Sequence, residues 1–408
     1  MSATGTAAPP VETLDSFLER GLALLESRSR RRSEQARTWG EGSDDVNLID
    51  DGADGPDAPD VLAARAWQAR KLDAGFGWVT GPPELGGAGL PTHYETAFKN
   101  LEAGFDLPDP SILAVTLHMV LPTVVRWASA QLRDALAPRL ARAETVSCQL
   151  FSEPEAGSDL AGIRTSAVRD GGDWVVNGQK IWTSGAHFSD IGLIVCRTDP
   201  DGPRYRNLTA FIVDMHDPGV EVRPIRQLTG HSSFNEVFLT DVRIPDTHRL
   251  GEPGQGWAVI ISTLMSERSS IGTGNSTKTV DPGMLLELVR RHGDGSALTR
   301  DLTARAYTAS RLVERFGERC AEELRSGSDP GPRFSIGKIL LVDALRRTSE
   351  LIEHVLGPRI VADTGEWGTF AWSIVSLEQP SFGIGGGTDE IQRNIVAERV
   401  LGLPKDRS

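Results

Sequence analysis

Apolar residues recur at helical spacing in Leu14, Phe17, Leu18, Leu22 and Leu25, which predicts a helix ending at the basic cluster Arg28–Arg32. Such a cluster reads as a solvated helix end. Residues 1–10 are small, polar and Pro-rich and predict disorder. Residues 40–60 carry seven Asp, one Glu and two Pro with few apolar positions, and predict an exposed loop. Helical periodicity resumes over 61–73, is punctuated by Gly81-Pro-Pro-Glu-Leu-Gly-Gly-Ala-Gly-Leu-Pro91, and continues through 92–145.

The pattern changes near Val146. From there to about residue 250, β-branched and polar residues alternate between dense turn signals. Asp173-Trp-Val-Val-Asn-Gly-Gln-Lys-Ile-Trp182 reads as a hairpin turning at Asn177-Gly178, a pair that suits a type I′ turn. Leu193–Cys196, Thr209–Val213, Val220–Val222 and Glu236–Leu239 predict further strands. After Pro253 the spacing is helical again over 256–272, 282–292, 298–325, 335–356 and 388–400. The predicted fold class is α+β: an N-terminal helical domain (1–145), a central antiparallel β domain (146–252) and a C-terminal helical bundle (253–408).

Composition narrows the function without naming it. A formal net charge of −13 leaves no basic excess for a nucleic-acid partner. Three scattered cysteines, Cys148, Cys196 and Cys320, suit buried thiols better than disulfides or a metal site. His187, His231 and His354 stand alone without ligand spacing. No run approaches the roughly 18 apolar residues of a membrane span, and the N-terminus lacks the charged and apolar regions of a secretory signal, so a cytoplasmic location is expected.

Phe151-Ser-Glu-Pro-Glu-Ala-Gly-Ser-Asp159 is a loop of small residues and hydroxyls, and Trp182-Thr-Ser184 ends the predicted hairpin. Small residues let a backbone approach a flat ring, hydroxyls bond its edge, and a Trp covers its face. Either piece alone reads better as an ordinary turn or an ordinary core Trp. Together with Asn177-Gly-Gln-Lys-Ile-Trp-Thr-Ser184, Phe211-Ile-Val213, Asp241-Val-Arg-Ile-Pro245 before Leu250-Gly251, Gly86-Gly-Ala-Gly-Leu90 and Gly387-Thr-Asp-Glu-Ile-Gln-Arg393, the chain resembles the acyl-CoA dehydrogenases from about residue 60 onward.

The resemblance implies an FAD enzyme acting on an acyl thioester and passing electrons to an electron-transfer flavoprotein or similar acceptor. It implies a homotetramer or a heteromer with a homologue. Gln149, Phe151 and Ser152 would contact the isoalloxazine, with Ser158 near the substrate. Trp182, Thr183 and Ser184 would lie against the flavin, and Gly387, Thr388 and Glu390 would hold its other side. The family's R-x-x-F-G string, which meets the pyrophosphate, is missing; Arg290-Arg-His-Gly293 offers Arg291 instead, and Arg315-Phe-Gly317 falls too late in the chain. Gly383–Gly387 is no dinucleotide fingerprint, because no βαβ unit surrounds it.

Removing the α-proton of a thioester requires a base. Many relatives supply a Glu in Y-E-G-T, but this chain reads Ile384-Gly-Gly-Gly-Thr388, with Gly386 at that position. Isovaleryl- and long-chain-type members carry Glu-Arg in the first C-terminal helix, matched here by Glu267 and Arg268. At 100° per residue Trp257, Ile260, Leu264, Glu267 and Ile271 share a face, which makes Glu267 a lone carboxylate on an apolar stripe. The stripe alone fits a structural Glu paired with a distant Arg equally well; the resemblance makes Glu267 the base and puts Arg268 near the CoA end. Two rivals remain: a flavin monooxygenase or oxidase on this fold, and a non-catalytic subunit that completes a homologue's flavin site.

Overall fold

The computed structural model describes residues 12–31, 55–272, 280–326, 328, 330–362, 364–366 and 368–405. Within its helices the side chains of 267–272, 324 and 325 lie outside that description. So do residues 1–10 and most of the 40–60 segment.

Helix α1 (Leu14–Arg28) starts where the Thr13 hydroxyl accepts the Ser16 N–H at 3.3 Å. It buries Phe17 and Leu25 against Trp67 of α2 (Pro59–Asp73), Phe76, and Tyr94 and Phe98 of α3 (Thr92–Glu102). Phe76 and Phe98 stack with ring centroids 4.5 Å apart. The next helical run, Pro110–Trp127, changes pitch along its length. A 3₁₀ turn leads into a π-helical turn, Thr116–Val120, and then into α4 (Leu121–Trp127). By length and mean hydropathy (1.2 over 18 residues) this run alone among the described helices is long and apolar enough to cross a bilayer, but half of it is buried in the protein core, as in a core helix. Helix α5 (Ala130–Ala141) follows, capped by Ser129.

Eight strands form one sheet: β1 (Ser147–Leu150), β2 (Ser166–Asp170), β3 (Asp173–Ser184), β4 (Ile191–Arg197), β5 (Leu208–Asp214), β6 (Val220–Ile225), β7 (Phe234–Pro245) and β8 (Arg249–Leu250). Their order is β6-β7-β3-β2-β4-β5-β8, with β1 added on β4. Pairing is antiparallel as expected, apart from β1 on β4 and a single parallel register between β2 and β4. One face of the sheet closes over Cys148, Trp174, Val176, Ile194, Phe211, Val237 and Val242. The other sets Leu193, Val195, Ala210 and Ile212 against Val120 and Val124 of the 110–127 run, Leu140 of α5 and Ile260 of the first C-terminal helix. The three cysteines are free and buried.

The expected hairpin at Asn177-Gly178 is overturned. Strand β3 runs straight through the pair, and the two-residue turn lies upstream at Gly171-Gly172, between the paired Asp170 and Asp173. Gly171 takes the left-handed φ of +62° that this turn needs. Asn177 instead bonds Asp241 of β7 in both directions, at 2.9 and 3.0 Å, where the register shifts by one residue. Gly178 is required there by crowding: a Cβ would fall 2.4 Å from the Thr165 hydroxyl.

The C-terminal helices are α6 (Gly256–Gly272), α7 (Pro282–His292), α8 (Ala297–Arg325), α9 (Phe334–Leu356), α10 (Ser373–Phe382) and α11 (Asp389–Ile395), the last continued by a π turn over Val396–Val400. Helix α10 has no counterpart among the sequence expectations.

Candidate active site

The loop after β1 is fastened to β3 by a buried ion pair. Lys180 is fully buried, and its Nζ donates to Phe151 O (3.1 Å), Val195 O (2.8 Å) and Glu153 Oε1 (2.8 Å). The Glu153 carboxylate also accepts the backbone N–H groups of Arg164 (2.7 Å) and Thr165 (2.9 Å). Burial alone would raise the Glu153 pKa; Lys180 and these donors more than offset it and hold the carboxyl below its ordinary range. Ile181 N donates to Ser152 O at 2.9 Å, completing the seam. The seam brings Ser152 alongside the end of β3 that carries Trp182, Thr183 and Ser184.

That end of β3 is bulged. Lys180 pairs with Val237 and Thr183 with Asn235, so three steps on β3 match two on β7. Trp182 adopts φ +60° and leaves its ring 57% exposed, edge-on to Phe234. A large aromatic held exposed in a left-handed conformation is costly, and such outliers concentrate at functional sites. Next to it Thr183 is buried and its hydroxyl has no partner; the Gln149 Oε1 on β1 is likewise buried and unpaired. Buried polar atoms are normally satisfied, so this pair marks a surface shaped for something polar. Ser184 and Ser158 are exposed. Phe151 is 3% exposed, with its ring in the core, and its carbonyl accepts from Lys180.

Asn235 was not foreseen. It is fully buried, donates to Thr183 O at 3.0 Å, and sets Nδ2 3.0 Å from His187 Nδ1. Nothing in the sequence pattern of β7 distinguishes it. Glu153 and Lys180, by contrast, stand inside the quoted motifs.

A second cluster is built on α9 and α11. Gly386 and Gly387 have φ of +67° and +90°. Gln392 Nε2 donates to Gly386 O at 2.7 Å, and the buried Lys338 donates to Gly387 O. Thr388 caps α11, its hydroxyl accepting Ile391 N at 3.3 Å. Glu390 is exposed in the first turn, its pKa lowered by its own backbone N–H and the Thr388 hydroxyl. Arg291 lies in the last turn of α7, half exposed and paired with Glu287 of the same helix at 2.8 Å.

Helix α6 is anchored from outside. Thr263 and Thr123 share a buried 2.9 Å hydrogen bond, and Trp127 Nε1 donates to Ser262 Oγ at 2.7 Å. Val259 and Ile260 are fully buried, with Trp257 and Leu264 partly so, which matches the expected stripe. The side chains of Glu267 and Arg268 lie outside the described residues; the helix carries position 267 one turn beyond Thr263.

Residues 148–242 match the family model for the acyl-CoA dehydrogenase middle domain, and 254–401 that for the acyl-CoA dehydrogenase C-terminal domain. The chain is 36% identical over 345 residues to acyl-CoA dehydrogenase IpdE1 of Mycobacterium tuberculosis, covering 84% of this chain and 88% of that protein. It is 38% identical over 286 residues to acyl-CoA dehydrogenase FadE34 of the same organism, covering 70% of this chain but 39% of that longer one. Among solved structures, the ChsE4-ChsE5 complex from Mycobacterium tuberculosis shares the fold at a TM-score of 0.71 and 24% identity, covering 97% of this chain and all of the matched chain. The Tcur3481-Tcur3483 steroid ACAD does so at 0.72 and 23%, covering 96% and 98%. With motifs, fold and relatives in agreement, the chain belongs to the acyl-CoA dehydrogenase family of FAD-dependent oxidoreductases.

Proposed function

We propose that this chain binds FAD at the β3 end and introduces an α,β-double bond into an acyl thioester, with Glu267 taking the α-proton. The observation that carries the cofactor assignment is the exposed, left-handed Trp182, followed in the strand by the buried and unpartnered Thr183 hydroxyl; Gln149 Oε1 on β1 is a further buried, unpartnered polar atom. These residues fit a flat, heteroatom-edged ring: an aromatic face to stack on, and an amide and a hydroxyl at its rim. Bound FAD supplies the hydride acceptor. The chain's own residues do the rest. Trp182 and the Ser152 seam would hold the ring, Ser184 would offer it a hydroxyl, and Ser158 with Arg268 would orient the thioester. Helix α6, pinned through Thr263, holds position 267, and Glu267 receives the proton there. Gly386, at φ +67°, is a position that disfavours any side chain, which supports a base located elsewhere.

Glu267→Gln tests the base. It should keep FAD and thioester binding while slowing anaerobic flavin reduction by about 10²–10⁴-fold, the usual contribution of a general base. Reduction at the wild-type rate would move the base to another residue. The flavoprotein acceptor is expected to be the route of reoxidation. Rapid reoxidation by air, with peroxide or an oxygenated product, would favour a monooxygenase or oxidase instead.

A heteromeric assembly with a homologue is the second reading. It is supported by the ChsE4-ChsE5 complex among the structural relatives, and by the missing R-x-x-F-G string, which a partner could contribute. FAD that appears only in a co-purified heteromer would establish it over the homotetramer.

A further inference from the structure

Thr183, Asn235 and His187 form a chain of hydrogen bonds that starts at the bulge beside Trp182. Asn235 on β7 lies directly opposite Thr183 on β3, so their side chains share one face of the sheet, and both are buried. The Asn235 amide turns back on its neighbour. Its Nδ2 donates to Thr183 O at 3.0 Å and stands 3.0 Å from His187 Nδ1. Thr183 O can only accept, which fixes the amide with its nitrogen toward β3. The second amide hydrogen then meets the imidazole, with Nδ1 as the acceptor and the ring proton on Nε2.

His187 is a fixed post. It sits in the 3₁₀ turn Ala186–Phe188 that follows β3, between two buried residues and edge-on to the Phe188 ring at 5.0 Å. That turn is tied down twice: Ser189 Oγ donates to Gly185 O at 2.8 Å, and Gly185 N donates to Ser233 O at 3.4 Å. The bulge is less firmly placed, because its ladder is interrupted between Lys180 and Thr183. The Asn235 amide adds a bond from a regular position on β7 to the first residue past that interruption.

Two oxygens are left over. With both amide hydrogens committed, Asn235 Oδ1 has no partner in the protein, and neither has the Thr183 hydroxyl on the residue opposite. A network built only to stabilise the sheet would satisfy such buried atoms internally. Here the bonds are made on the His187 side and left open on the Thr183 side, so the chain of bonds has a direction: anchored at His187, presenting Thr183. Resting on the FAD reading above, we propose that Asn235 and His187 are positioning residues of the flavin site, holding Thr183 where its hydroxyl meets the cofactor, with His187 acting only through Asn235.

The test is the FAD affinity of the full chain in the assembly in which it purifies, read by flavin fluorescence, with the visible spectrum of the bound flavin as a second readout. His187→Leu should weaken FAD by about 3- to 10-fold, the worth of one hydrogen bond, and shift the flavin band. His187→Asn carries an acceptor two bonds from Cβ, as Nδ1 is, and should restore most of the affinity. Thr183→Val removes the hydroxyl and should cost a similar factor. Adding His187→Leu to it should then cost little more, because nothing is left to position; a merely structural role would make the two losses multiply. Asn235→Asp keeps the side chain's shape but turns an acceptor on Thr183 O. It should weaken FAD at least as much, and it serves should His187→Leu fail to fold. An unchanged FAD Kd in His187→Leu and Asn235→Asp, losses that multiply in the double variant, or His187→Asn no better than His187→Leu would overturn the positioning role and leave FAD binding intact. A wild-type chain that binds no FAD would overturn the cofactor reading, and this role with it.

Discussion

Replacing Lys180 by Met is the most searching perturbation of the fold that holds the site. The methionine fills the volume of the aliphatic stem, so packing is nearly conserved and the lost charge dominates. Three acceptors lose their donor at once: Glu153 Oε1, Phe151 O and Val195 O. Glu153 keeps two backbone N–H groups, which soften the loss without cancelling a charge that is 7% exposed. Breaking a buried pair from one side costs about 3–5 kcal/mol. Urea unfolding of Lys180→Met, with an unchanged m-value, should show a loss in that range. Adding Glu153→Gln removes the uncompensated charge while leaving an acceptor for one backbone donor, and should recover about 1–3 kcal/mol. The single variant should also release FAD more readily, because the Phe151–Glu153 seam is what sets Ser152 beside Trp182. A loss below about 1 kcal/mol, or a double variant no more stable than the single one, would mean that the ammonium does not hold this loop.

Trp182→Ala should leave the unfolding midpoint nearly unchanged, since the ring is largely exposed, but weaken FAD by roughly 3- to 10-fold, the worth of one aromatic face contact; an unchanged FAD Kd by flavin fluorescence would refute the platform. Because His118 titrates lower in the folded chain (about 4) than at its ordinary 6.5, protonation favours the unfolded state. Its contribution is intact above about pH 6.5 and lost as pH falls toward 4, on the order of 3 kcal/mol; His118→Gln should flatten the stability profile in that window. Glu153, shifted down from 4.5, adds a separate loss below that value, which His118→Gln should leave in place.

Strands β4 and β5 were legible because both faces of each are buried, so that their apolar runs carry a clear signal. The bulges were not. Asn-Gly is as good a start for a tight turn as for a register shift, and only the partner strand's Asp241 and the crowding by Thr165 decide between them. Helix α10 was hidden because Pro380 lies inside it and its buried face includes Ser373 and Glu378, polar residues that break the stripe. The split of Pro110–Trp127 into three pitches leaves no trace in periodicity, since each piece is about one or two turns long. Among site residues, the motif hydroxyls and Trp182 were legible through resemblance. Lys180, Glu153 and Lys338 defy the rule that charged side chains stay outside, and only their fixed partners explain them.

The bulge between Lys180 and Thr183 makes the site depend on parity. Along β3 the buried positions are Trp174, Val176 and Lys180, all even, until the extra residue hands burial to Thr183 and leaves Trp182 facing outward. A strand that lost one residue here would keep every side chain's chemistry and still exchange inside for outside: the indole would turn into the core and the threonine onto the surface. Single-residue insertions and deletions in the Lys180–Thr183 segment should therefore be tolerated far less than substitutions at the same positions. Homologues that differ in length elsewhere in the sheet are expected to agree on the count through these four residues.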